Sequence, residues 1–323
     1  MQTYLHDRED FKTLLEVTTS KEKINDPSLV EKDYWIMHFL YGIQKAGLSF
    51  ELKGGTSISK GFGIIHRFSE DIDLRIEPIE KLTTFKVYTG KNHDDEKQRN
   101  SRKAYFDWLS QFLEGKLQGH TGVKRDTEFD DPDKFRNGGI RLFYKTQFPV
   151  AAGLKEGILL EVGFDKTAPN QKKTISSWAS NQARASKVDF IDNDAKEVPC
   201  YEPKYTFVEK LQAIVRKFRL YKEGKGSRTL PANFIRHYYD VFQLIDDSDV
   251  QKFIGTPEYT THKRERFGKD DNKVSNSDAF KLSDVKDRES FEKQYVNTKS
   301  LYYKGQPEFQ KILDRIGKDL DRL

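Results

Sequence analysis

KGGTSISKGFGIIHRFSEDIDL, residues 53–74, joins a turn of glycines and hydroxyls to two aspartates separated by a single residue. Side chains alternate along a β-strand, so Asp71 and Asp73 face one side while Ile72 and Leu74 face the other and enter a core. Two carboxylates crowded into one volume repel, and one takes up a proton near neutral pH unless a cation lies between them. Mg²⁺, with Mn²⁺ as the alternative, is the natural cation, because it prefers oxygen ligands and commonly binds through one or two carboxylates plus substrate phosphates. Upstream, Gly54 and Gly55 let the backbone approach an anion closely, and Thr56 and Ser57 add hydroxyls where the turn opens a helix. A glycine turn alone is usually only a turn, and an Asp-x-Asp alone is often a solvated strand end. In this order, with Lys60, His66 and Arg67 between them, they predict a metal-dependent nucleotidyl-transfer site that takes a nucleoside triphosphate.

Working outward, SFELKGG reads as a short strand into the turn and EDIDLRIEP as a strand ended by Pro78. Before them, Asp26-Pro27 starts an amphipathic helix through Val30, Tyr34, Ile36, Met37, Leu40 and Tyr41. Residues 90–120 read as a loop and then a helix through Tyr105, Trp108, Leu109, Phe112 and Leu113, and strands follow over 139–148 and 157–165. In the second of these strands Glu161 is the lone acid in an apolar run. Buried, it needs a cation or a donor, which makes it a candidate third carboxylate; the alternative is a strand-edge glutamate in water.

Near residue 200 strands give way to helices, beginning at Pro203. The stripe Phe207, Val208, Leu211, Ile214, Val215 and Phe218 has helical spacing, with Lys210 at its margin, where it can present a cation to a cleft between lobes. From the helix alone, Lys210 reads as a snorkelling surface lysine. In PANFIRHYYDVFQLI, the residues Phe234, Ile235, Tyr238, Phe242 and Ile245 form the apolar face, and Arg236 and Asp240 sit four apart on another face, where they can pair. His237 has no metal-ligating partner at suitable spacing and is read as structural. Residues 256–300 are charged and rich in Asn and Ser, with too few apolar positions for a core of their own, and predict a loop with short helices. The end, through Phe309, Ile312, Leu313, Ile316 and Leu320, is helical again.

The turn, the spacer and the Asp-hydrophobic-Asp run resemble the signature of the DNA polymerase beta-like nucleotidyltransferase superfamily. The wording GGTSISKGFGIIHRFSEDIDL is more similar still to the AbiEii/AbiGii-type nucleotidyltransferase toxins of bacterial toxin–antitoxin and abortive-infection (phage defence) systems, although the gap from turn to aspartates is slightly longer than the superfamily pattern. The resemblance implies an α/β (α+β) chain: a polymerase beta-like lobe with N-terminal helices and a mixed sheet over 1–200, then a mainly helical lobe over 201–323. It implies that Glu161 stands where the superfamily has its later acid, that Lys210 contacts the triphosphate, and that Asp240, in a helix similar to the toxins' Arg-x-x-x-Asp helix, joins the catalytic set. It also implies an RNA acceptor, tRNA being the best-known class, blocked translation, and a separate antitoxin.

Length and composition agree with a folded two-lobe chain: 323 residues, 36% hydrophobic, 33% charged and 13% aromatic, with a mean hydropathy of −0.80. No apolar run approaches a membrane span and the N-terminus lacks a secretory pattern, so a cytoplasmic protein is expected. The single cysteine, Cys200, excludes an internal disulfide and a cysteine-rich zinc site. A net charge of +5 favours polyanions only mildly. The basic stretches 91–106 and 261–269 are open to either RNA phosphates or solvent.

The expected reaction is attack of a hydroxyl on the α-phosphate of an NTP, with pyrophosphate leaving. Asp71 and Asp73 hold the metal, Glu161 joins it or acts as base, and Lys210 offsets charge on the pyrophosphate. Thr56, Ser57 and Lys60 grip the β- and γ-phosphates, Ser69 lies close enough to touch them, and Asp240 orients the lysine or the acceptor. The rival readings are phosphoryl transfer to a protein and an inactive nucleotide- or RNA-binding module.

Overall fold

The computed structural model describes residues 2–90, 95–151, 153–224, 234–267 and 273–323. The start of the basic stretch 91–106, the end of 261–269 and the expected helix start at 231–233 therefore lie outside the described residues. The chain forms two compact units, one of Met1–Gly61 and Phe68–Tyr201, the other of Phe62–Arg67 and Glu202–Leu323.

The first unit is built on a seven-stranded mixed sheet: β1 (Ser49–Lys53), β2 (Asp71–Glu77), β3 (His120–Arg125), β4 (Asn137–Tyr144), β5 (Ile158–Gly163), β6 (Asn170–Ile175) and β7 (Ala195–Tyr201), in the order β3-β4-β5-β2-β1-β7-β6. β2 runs parallel to β5 and antiparallel to β1, and β1 runs parallel to β7. One face of this sheet is apolar by alternation, and Leu52, Ile72, Leu74, Ile140, Leu142, Leu160 and Val162 are each at most 1% exposed. The helix Pro27–Lys45 packs against β2, β5 and β7, and the helix Glu96–Glu114 packs against β3 and β4. Asp26 caps the former, its carboxylate accepting from Ser28 N at 2.9 Å with Pro27 in the first turn.

The second unit is helical. Pro203–Lys222, Arg236–Leu244, Ser248–Phe253, Pro257–Arg266, Val285–Val296 and Phe309–Gly317 are its main helices. The stripe from Phe207 to Phe218 is buried as its spacing requires. On Arg236–Leu244 the apolar face runs through Tyr238, Val241, Leu244 and Ile245, and Phe242 is only half-buried.

The described residues of 256–300 form short helices, as expected, and their aromatics join the core of the second unit rather than building one of their own. Phe280, Phe291 and Tyr295 are at most 2% exposed, and the Tyr238 ring meets Phe280, Phe291 and Phe309 edge-on at 5.8, 6.1 and 5.4 Å. A few large aromatics at correct positions replace a dense apolar run. Among the described residues no helix is long and apolar enough to cross a membrane.

Candidate active site

Antiparallel pairing of β1 with β2 sets Lys53 opposite Asp73, so the turn that leaves β1 lies beside the second aspartate. Gly54 takes φ +68°, and a Cβ placed there would lie 2.0 Å from Asp73 Oδ2. The Asp73 carboxylate therefore rests where any other residue would put its side chain, which gives this glycine a steric as well as a conformational reason. The turn continues as a short helix Gly54–Thr56 and a π-helical turn Ser57–Gly61. Gly54→Ala is expected to cut transfer by on the order of 10²-fold, because it displaces the carboxylate, and to cost about 1–3 kcal/mol of stability. Turnover and chemical denaturation of the purified variant check both.

The two hydroxyls behind the glycines are turned inward. Thr56 Oγ1 donates to Asp71 O at 2.6 Å and Ser57 Oγ to Tyr201 O at 3.2 Å, with both residues at most 1% exposed. A buried hydroxyl requires a partner, and these two fasten the turn to the ends of β2 and β7. Lys60 is also engaged: its ammonium pairs with the buried Asp33 carboxylate and lies 4.1 Å from the Trp178 ring centre. Ser69 is partly exposed, two residues before Asp71.

On β2, Asp71 and Asp73 are partly exposed, whereas Ile72 and Leu74 are fully buried. The parallel register pairs Asp73 with Glu161 and Asp71 with Leu159. Partners in register point to the same side, so Glu161 stands beside Asp73 on the face that carries both aspartates. Among the described residues no three His, Cys, Asp or Glu side chains are grouped to hold a metal on their own. Two carboxylates on one face beside a glycine backbone still suit a hard divalent cation whose remaining ligands are phosphate oxygens.

Beneath this face lies a feature that the sequence reading passed over. Glu31, Lys32 and Asp33 are consecutive in the helix Pro27–Lys45, and each is at most 2% exposed. Glu31 accepts from Gln147 N at 2.7 Å and Phe148 N at 3.2 Å, and Asp33 accepts from Trp178 N at 2.8 Å. Lys32 donates to Lys155 O at 2.6 Å and pairs with Glu70 at 3.5 Å, next to Asp71. Burial lowers the Lys32 pKa against the attraction of Glu70 and Asp71, so Asp71 lies in the field of this cation. The signal was present: three successive ionisable residues inside LVEKDYWIMHFL cannot all lie on the wet side of a helix.

In the second unit, Asp240 is not on a polar face paired with Arg236. It is fully buried and accepts a bidentate pair from Arg67, Nε to Oδ1 and Nη2 to Oδ2, both at 2.7 Å. Lys210 Nζ lies 3.1 Å from Asp240 Oδ2 and 3.2 Å from His237 Nδ1. Burial alone would raise the Asp240 pKa, but Arg67 and Lys210 reverse this and hold it well below the usual carboxylate range. The segment Phe62–Arg67, which links the glycine turn to the acid pair, is bound into this unit through Arg67, through the Tyr239 hydroxyl accepting from His66 N at 3.3 Å, and through the Tyr303 hydroxyl donating to Ile65 O at 3.3 Å.

Oxygen donors placed like Asp71 and Asp73 can hold a cation against the phosphates of a nucleotide. The family model described as "Nucleotidyl transferase AbiEii toxin, Type IV TA system" matches residues 38–315. By class, then, the protein is a nucleotidyl transferase. The chain belongs to the AbiEii toxin family of type IV toxin–antitoxin systems, which brings with it an NTP substrate, typically a divalent metal, and an antitoxin counterpart. No curated protein and no solved structure matches the chain.

Proposed function

We propose that this enzyme is a cytoplasmic toxin that transfers a nucleoside monophosphate from an NTP to a hydroxyl of an RNA acceptor, tRNA being the class favoured, and so blocks translation. The observation that carries the reading is the shared face of Asp71, Asp73 and Glu161 beside a glycine that can accommodate no side chain. In this reading residues 1–200 form the nucleotidyltransferase lobe and 201–323 the helical lobe. Asp71 and Asp73 hold Mg²⁺, which when bound neutralises charge on the phosphate oxygens. The backbone at Gly54 and Gly55 and the Ser69 hydroxyl contact the β- and γ-phosphates. Thr56, Ser57 and Lys60, all engaged inside the protein, keep the turn in shape. Glu161 joins the metal ligands or takes the proton of the attacking hydroxyl as its oxygen bonds to the α-phosphorus and the bond to pyrophosphate breaks. Lys210 offsets the charge of the departing pyrophosphate, and Asp240 orients the lysine without touching substrate.

Incubation with each NTP, labelled at the α- or the γ-phosphate, and total bacterial RNA tests this. The expected result is α-label on RNA of tRNA size from one preferred NTP. Label from the γ-phosphate alone, on RNA or on protein, overturns the assignment and favours phosphoryl transfer.

A further inference from the structure

Lys210 carries three N–H donors, and two of them have partners in the second unit: Asp240 Oδ2 at 3.1 Å and His237 Nδ1 at 3.2 Å. His237 and Asp240 are three residues apart on the helix Arg236–Leu244, so both reach the lysine from one face. An ammonium can donate to Nδ1 only if that nitrogen carries no proton, which requires the neutral ring with its hydrogen on Nε2. The surroundings enforce this. Desolvation, then the charges of Lys210 and Lys217, lower the His237 pKa well below the ordinary imidazole value, against the attraction of Asp240 and with Arg67 adding to the repulsion. The Phe234 ring stands edge-on at 6.3 Å.

Asp240 by itself does not fix the ammonium. Both of its oxygens are engaged by Arg67, and a single contact to Oδ2 leaves Nζ free to pivot about one bond. A second acceptor removes that freedom and aims the third N–H in one direction.

We propose that His237 is a positioning residue, a neutral acceptor that works with Asp240 to point the remaining N–H of Lys210 at the phosphates. The proposal rests on the reading that Lys210 serves the departing pyrophosphate. It gives a reason for a histidine here that is neither metal ligation nor general acid–base chemistry.

The test uses the full-length enzyme and measures kcat, KM for the preferred NTP, and thermal midpoint. His237→Phe keeps an aromatic ring and removes the acceptor, and His237→Asn keeps an acceptor close to Nδ1. Loss of a hydrogen bond to a charged group predicts that His237→Phe lowers kcat/KM for NTP by about tenfold. His237→Asn is expected to recover most of that loss, and His237→Phe is expected to add nothing in a Lys210→Ala background. If the phenylalanine variant does not fold, His237→Gln, whose amide reaches the Nε2 position instead, provides the same comparison. Wild-type kinetics in the acceptor-less variant, equal damage from asparagine, or an undiminished effect without Lys210 each overturn the proposal. If Lys210→Ala alone is silent, the role of Lys210 fails and this inference with it. If Lys210→Ala is damaging and His237→Phe is not, only this inference falls.

Discussion

Asp73→Asn is expected to lower nucleotidyl transfer by on the order of 10³-fold or more while leaving the thermal midpoint close to that of the parent. The size follows from charge. The substitution keeps the shape that fits against Gly54 and removes one of the two negative charges that share a face with Glu161. Phosphoryl oxygens gather negative charge in the transition state, and stabilisation of that charge is the largest contribution such a site makes. Stability changes little because Asp73 is partly exposed and its neighbours Ile72 and Leu74 supply the burial. Asp71→Asn should behave alike, since Thr56 is bonded to the Asp71 main chain and not to its carboxylate. Transfer assays beside thermal melts check both variants. Undiminished turnover in either would refute its role at the metal.

Asp240→Ala is expected to act in the opposite sense, primarily on folding. The pair with Arg67 is buried on both sides, and removing one partner leaves a guanidinium without compensation, at a cost of about 3–5 kcal/mol. Lys210→Ala leaves the bidentate pair intact and should weaken NTP use with little change in stability. Equilibrium denaturation of both variants, with Arg67→Ala to close a double-mutant cycle, separates the two effects. The pH dependence has a definite sign. The folded pKa of Asp240 lies below the unfolded value of about 4, so the stabilisation is complete above that value and disappears as pH falls through the depressed folded value. Asp240→Ala should therefore show its full destabilisation at neutral pH and a smaller one in strong acid.

What was readable from the chain was local. The helix Pro27–Lys45 announced itself through Asp26 and Pro27, and β2 and β5 through alternation and an apolar run. The acid pair followed from a two-residue period, and Glu161 from being the one acid between Leu160 and Val162. The strands passed over have reasons of their own. β3 and β6 are the two edges of the sheet, where charged and polar residues are normal, and β7 contains Pro199, which argues against a strand.

Partners far apart in sequence were not readable. The partners of Lys60, Asp33 and Trp178, are distant along the chain, and Arg67, the partner of Asp240, lies 173 residues away from it. A residue type and a short period identify where a carboxylate points, but which cation meets it is decided by tertiary packing.

The most direct test of the central claim is the binding of Mn²⁺, followed by electron paramagnetic resonance, in the presence of an NTP analogue that cannot be cleaved between its α- and β-phosphates. The account predicts bound, nucleotide-dependent Mn²⁺ in the parent enzyme and its loss in Asp71→Asn/Asp73→Asn with the fold preserved. Equal Mn²⁺ affinity in the two proteins would contradict it.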